Sequence, residues 1–124
     1  MAKVFLLLAA FGGFTGVGLG AFAAHALRGQ LPQNLLAAFQ TGVQYQFWHS
    51  FALIATALLL LRWPQSRLIS SAGWLFALGI LLFSGSLYLM AISGIGQLGI
   101  ITPFGGVSLL LAWFCLGLGI WRHA

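Results

Sequence analysis

Seven polar side chains stand within otherwise apolar stretches, and their types are ones that bind or position small molecules. Histidine and tyrosine can carry or donate protons, while glutamine and serine both donate and accept hydrogen bonds. On a helix, Tyr45 and His49 lie one turn apart on the same face. Inside a membrane, such groups either line a pocket or hold helices together. The candidate residues are His25, Tyr45, Gln46, His49, Ser84, Ser86 and Tyr88.

These residue types also raise the question of a cofactor. Haem held by two histidines would suit His25 and His49 badly, because their depths differ by roughly 10 Å. A histidine with a tyrosine could instead hold a quinone head group or another small amphiphile. The chain has only three histidines and one cysteine, without metal-ligand spacing, so no metal site is predicted and no cofactor is assigned.

Composition determines the class of protein that must position these side chains. The chain has 124 residues, of which 61% are hydrophobic and 4% charged, and it contains no Asp or Glu. One soluble core of this size cannot bury so much apolar surface, so much of it must face lipid. A soluble enzyme, a disordered tail and a disulfide scaffold are excluded. A net charge of +5 from scattered cations does not indicate nucleic-acid binding.

Four apolar segments are long enough to cross a bilayer as helices. We expect an all-α integral membrane bundle of four transmembrane helices that forms a single domain over residues 1–124. Asn34 is the expected N-cap of the second helix, and Thr102 followed by Pro103 is the expected start of the fourth. The predicted spans are 4–24, 35–61, 68–92 and 103–121.

Positive charge predicts the orientation. With four spans, the N-terminus, the second loop and the C-terminus share one side and carry four of the five cations, while Arg28 stands alone opposite. Both termini are therefore expected in the cytoplasm. Arg28 is read as snorkelling to lipid phosphates, or else as holding an anionic ligand. A cleaved signal peptide is the alternative for the N-terminus, but the long glycine-rich apolar run favours a retained span.

Two groups of residues on the predicted spans each allow two structural interpretations. Gly12, Gly16 and Gly20 form a stripe on the first span, which favours packing inside the bundle over a dimer face. The polar side chains concentrate in the outer half of the membrane, at depths of roughly 5–12 Å on the second and third spans. They form either an outward-opening polar pocket or a hydrogen-bonded cluster between helices, and the second interpretation is favoured.

Two segments resemble the signatures of a known family. Gly20-Ala-Phe-Ala-Ala-His25-Ala-Leu and Tyr45-Gln-Phe-Trp-His49 are similar to motifs of the domain-of-unknown-function 423 family, and Ala23 and Ala26 replace two of its usual glycines. The segments at 84–88 and 102–106 are also similar. The resemblance implies a small four-span protein of the bacterial inner membrane. It implies no biochemical activity.

The leading functional expectation is a non-enzymatic accessory or scaffold protein, because acids are absent and the loops are short. The alternative is a binder of a quinone or other amphiphile, or a small transporter, that uses the polar cluster. An intramembrane enzyme ranks last, since no nucleophile–base pair is readable. The expected partners are the lipid bilayer and other membrane proteins or a second copy of the chain, and not nucleic acid.

Overall fold

The fold consists of four long helices joined by short connections. A computed structural model describes all 124 residues. The four helices are α1 (Ala2–Phe22), α2 (Gln33–Arg62), α3 (Arg67–Ser93) and α4 (Thr102–His123). The helix α1 continues into one π-helical turn, Ala23–Leu27, and the connection between α3 and α4 contains a 3₁₀ turn, Gly96–Ile100. The all-α prediction is confirmed.

The helix ends differ in detail from the expected caps. The prediction that Asn34 caps α2 is wrong, because the helix begins at Gln33 after Pro32 and no side chain bonds to its first turn. Thr102 is likewise the first helical residue of α4 and not its cap. The side-chain cap that does form was not predicted: the Ser66 hydroxyl accepts a hydrogen bond from the Ile69 backbone N–H at 3.2 Å. A preceding proline supplies no hydroxyl, so α2 starts without a side-chain acceptor.

Consecutive helices pack against one another in antiparallel pairs, α1 on α2, α2 on α3 and α3 on α4. The main core lies between all four helices, and five of its twelve members are alanine, as is usual where backbones approach closely in a membrane. A smaller apolar cluster lies at the opposite end of the bundle, around Phe39 and Ala91. The main core comprises Phe5, Ala9, Ala52, Leu53, Ala57, Leu60, Ile69, Ala72, Phe76, Leu109, Ala112 and Leu116.

The glycine stripe of α1 faces α2. A Cβ atom built on Gly12 would overlap Ser50, and one on Gly16 would lie 3.0 Å from the Phe47 ring. Gly20 has more room, since its Cβ would lie 3.5 Å from Val43. The close approach that these glycines permit is therefore used within the chain, between α1 and α2.

Three of the four helices are long and apolar enough to cross a membrane by length and composition, within the segments Ala2–Leu27, Arg67–Ser93 and Gly96–His123. The helix α2 is the longest but does not meet that measure, so the expectation of a fourth span stays a prediction. This helix carries four glutamines, at positions 33, 40, 44 and 46, together with His49, and these lower its mean hydropathy.

Candidate functional site

The predicted polar residues do not form one cluster. Gln46, Tyr88 and Ser84 line a groove between α1 and α3 that has α2 as its floor. Tyr45 and His49 lie on another side of α2, beside α4. Ser86 meets the start of α4, and His25 is exposed on the π-helical turn, away from all of these. The structure therefore separates the candidates into three contacts and one exposed residue.

Gln46 connects three helices through hydrogen bonds. Its side-chain amide nitrogen donates to the Gly12 carbonyl at 2.8 Å and to the Thr15 hydroxyl at 2.7 Å, both on α1. Its amide oxygen accepts from the Tyr88 hydroxyl on α3 at 2.6 Å. The Thr15 hydroxyl in turn donates to the Phe11 carbonyl at 2.8 Å. Both amide hydrogens and the amide oxygen are thus used, and α1 is joined to α3 through α2.

Two further serines join α3 to its neighbours. The Ser84 hydroxyl donates to the Gly42 carbonyl of α2 at 2.7 Å, and the Tyr88 ring packs where a Cβ on Gly42 would otherwise lie. The Ser86 and Thr102 hydroxyls are 2.5 Å apart across the α3–α4 contact. Every buried side-chain nitrogen and oxygen has a partner within the chain. In a membrane an unpaired polar group would be costly, so this complete pairing stabilises the bundle.

His49 is held on both ring nitrogens. Its Nδ1 lies 2.7 Å from the Tyr45 carbonyl, and the indole N–H of Trp113 lies 3.1 Å from its Nε2. A carbonyl can only accept and an indole N–H can only donate, so Nδ1 carries the proton, Nε2 accepts, and the ring is neutral. Because both nitrogens are occupied, His49 has no free position for a metal or haem iron.

Tyr45 packs between aromatic rings of α2 and α3. Its ring is stacked on Phe83 with centroids 4.3 Å apart and on His49 with centroids 5.8 Å apart. Tyr45 and His49 border a second, smaller groove of about 410 Å³ that α4 closes with Pro103 and Trp113. Three or more metal-ligating side chains do not come together anywhere in the chain.

The α1–α3 groove is the larger of the two, with a volume of about 560 Å³. Phe5 contacts Trp74 near the start of both helices, with ring centroids 5.2 Å apart, and from Leu8 to Thr15 on α1 the groove lies between the two helices. Exposed Phe11 stands on one rim, and Leu78 and Leu81 stand on the other. The groove is thus apolar along its walls, with the Gln46 network at its base.

Sequence reasoning missed several members of these contacts. Trp113, Thr102 and the carbonyl of Gly42 were not among the candidates, although each forms a hydrogen bond with a candidate side chain. A carbonyl carries no sequence signal. Trp113 carries a weak signal, because an indole N–H within an apolar span needs an acceptor.

Comparison with known proteins identifies the family. A model described as "Protein of unknown function (DUF423)" matches residues 19–106, more than half of the chain. The chain belongs to the DUF423 family. The predicted resemblance is therefore confirmed, and the matched residues include the candidate positions from His25 to Tyr88.

Relatives of this DUF423 member are similar over nearly their full length. A UPF0382 membrane protein, YwdK of Bacillus subtilis strain 168, is 43% identical over 92% of this chain and 93% of its own. A UPF0382 membrane protein of Haemophilus influenzae is 42% identical over 98% and 97%. The UPF0382 inner membrane protein YgdD of Escherichia coli K12 is 38% identical over 98% and 92%. No solved structure matches the chain.

The names of these relatives and the apolar helices of the chain both indicate a membrane location. The chain is a multi-pass protein of a bacterial inner membrane, and its family is uncharacterised.

Proposed function

We propose that all four helices of this single domain cross the membrane and that both termini lie in the cytoplasm. The 30 residues of α2 extend about 45 Å, which exceeds the hydrocarbon thickness of a bilayer. Its polar side chains Gln46 and His49 are buried and paired, so they do not oppose a membrane position as unpaired groups would. Four of the five cations lie at the end of the bundle that carries both termini.

A reporter at the C-terminus tests this orientation. A fluorescent protein that folds only in the cytoplasm is expected to fluoresce when fused after Ala124, whereas alkaline phosphatase fused there is expected to be inactive. Fusions after Gln30, in the first connection, should give the opposite pair of results. An active phosphatase at the C-terminus would contradict the four-span arrangement.

Within this arrangement the protein is a non-enzymatic binder of a membrane amphiphile, whose chain lies in the α1–α3 groove. The observation that carries this function is the groove itself: about 560 Å³, within the size range of ligand pockets, and lined mainly by hydrophobic side chains. Along α3 it extends from Trp74 to Tyr88, about 21 Å of helix. That shape suits an extended acyl or isoprenoid chain better than a compact polar molecule.

The surroundings of the groove favour the same class of ligand. Its rims are exposed apolar side chains in the part of the bundle that faces lipid, so entry is lateral, from the bilayer. The polar groups at its base are already bonded to one another, which leaves little capacity to bind a polar head group inside. The amphiphile's head therefore lies outside the groove, toward the membrane surface. No nucleophile with an adjacent base lines the groove, which supports a non-enzymatic role.

Filling the groove tests this function. A Cβ on Gly85 meets nothing within 4 Å and Gly85 lines the groove, so Gly85→Phe places a ring in it. Gly117 also has open space and lies on α4, away from the groove, so Gly117→Phe is the matched control. We expect the purified protein to bind dansylaminoundecanoic acid saturably and Gly85→Phe to weaken this binding at least tenfold. Gly117→Phe should bind like the unaltered chain.

The titration is read by dansyl fluorescence, with ubiquinone as a competitor that tests the quinone class. Equal binding by both variants would refute the groove as the site. An accessory or scaffold role is the second candidate, favoured by the complete pairing of buried polar atoms, since such a bundle needs no ligand to fold. Native mass spectrometry separates the two: a companion protein, and no amphiphile, would support the accessory role.

A further inference from the structure

Nearly all the positive charge of the chain gathers at one end of the bundle. Lys3 lies in the first turn of α1, Arg62 ends α2, Arg67 begins α3, and Arg122 is in the last turn of α4. All four side chains are exposed. The fifth cation, Arg28, lies at the opposite end. Because the chain has no Asp or Glu, no side chain can neutralise these cations.

The ends of α2 and α4 form an ordered platform within this group. The rings of Trp63 and His123 are stacked, with centroids 5.4 Å apart and planes 20° from parallel. The guanidinium carbon of Arg62 lies 5.8 Å from the Trp63 ring centroid, within the range of a cation–π contact. Arg122 precedes His123 directly, so the stack brings the two arginines to the same region.

Tight packing beneath the platform fixes its geometry. A Cβ on Gly119 would lie 2.8 Å from Ile69 and 3.3 Å from Leu68, so the end of α4 lies directly against the start of α3. Ile69 is fully buried, and Trp63 packs partly against the main core. This arrangement holds Arg67, two residues before Ile69, beside the same end of α4.

We propose that this end, defined by Arg62, Trp63, Arg67, Arg122 and His123, binds the phosphate head group of an anionic phospholipid. Arginine presents several donors that match phosphate oxygens, and basic residues next to membrane helices attract anionic lipids. Trp63 and the 80% exposed Trp121 lie at the same level, as aromatic residues do at a membrane–water interface. The phosphate layer of the bilayer therefore lies where the cations are, which favours a lipid phosphate over a free one.

Lipid retention tests this site without altering the groove. The protein is reconstituted in equal amounts of phosphatidylglycerol and phosphatidylcholine, and native mass spectrometry counts the lipids that remain bound. We expect phosphatidylglycerol to be retained preferentially. The double variant Arg62→Gln with Arg122→Gln should lower that preference about tenfold or more, since each cation near the surface contributes severalfold to anionic-lipid binding. Arg28→Gln is the matched control and should leave the preference unchanged.

The possible outcomes separate the proposals. Loss of preference in Arg28→Gln equal to that in the double variant would overturn the site, because the effect would then follow net charge. Displacement of phosphatidylglycerol by millimolar inorganic phosphate would overturn the lipid assignment. If the purified chain instead retained an acidic protein and no lipid, the lipid assignment would also be overturned. Gly85→Phe should keep the phosphatidylglycerol preference, so failure of the groove proposal is distinguishable from failure of this one.

Discussion

Replacing Gly105 with alanine is expected to lower the free energy of unfolding by about 2 kcal/mol, a typical cost of overpacking. A Cβ there would overlap the backbone of Phe83 on α3, with its Cα atom 2.7 Å away. A side chain could rotate aside, but a helix backbone cannot, so α3 and α4 would have to separate. The better helix propensity of alanine offsets at most about 1 kcal/mol of this cost.

Gly106→Ala provides the control at the neighbouring position. Its Cβ would lie 3.8 Å from the Phe83 ring, an ordinary van der Waals contact, so this variant is expected to be as stable as the original or slightly more stable. Both proteins are unfolded with sodium dodecyl sulfate in mixed micelles and followed by circular dichroism. Equal stability of the two variants would contradict the backbone contact between α3 and α4.

Replacing Gln46 with leucine is expected to cost about 2 kcal/mol of stability. The substitution keeps a side chain of similar size but removes three hydrogen bonds, each worth about 0.6 kcal/mol on average inside a membrane protein. Two of these bonds go to α1 and one goes to Tyr88 on α3. Loss of all three removes the polar connection between α1 and α3.

Gln44→Leu is the matched control, because Gln44 is exposed on the same helix. It should leave the unfolding midpoint unchanged in the same denaturation measurement. A double-mutant cycle of Gln46→Leu with Tyr88→Phe isolates one bond and should give a coupling energy near 0.6 kcal/mol. If Gln46→Leu proves no less stable than Gln44→Leu, the network does not hold the helices together.

The separation of the polar residues explains how far the sequence could be interpreted. Depth along a helix follows from counting residues, and that count placed Tyr45, Gln46 and His49 at similar depths. The neighbouring helix that each side chain faces does not follow from such a count. Consecutive helical residues point about 100° apart, so Tyr45 faces α4 while Gln46 faces the α1–α3 groove. Neighbours in the sequence within the predicted cluster therefore belong to different contacts in the structure.

Other features depended on partners distant in the sequence. Apolar length was enough to predict four helices, and the proline after Trp63 indicates the end of α2 at Arg62. The groove could not be predicted, because it depends on how α1 and α3, which are distant in the sequence, lie beside each other past the contact of Phe5 with Trp74. The π-helical turn that carries His25 contains no proline or glycine, so no residue within it predicts a change of helix type.

The polar content of α2 has a consequence for how the protein is made. In the proposed four-span arrangement, α2 emerges from the ribosome after α1 but before α3 and α4. Gln46 can then meet the Gly12 carbonyl and Thr15 at once, whereas Tyr88 and Trp113 do not yet exist to pair with Gln46 and His49. Because α2 is the least apolar of the four, its stable insertion by the translocon depends on helices synthesised after it. Membrane integration and tertiary folding of this chain are therefore one coupled process.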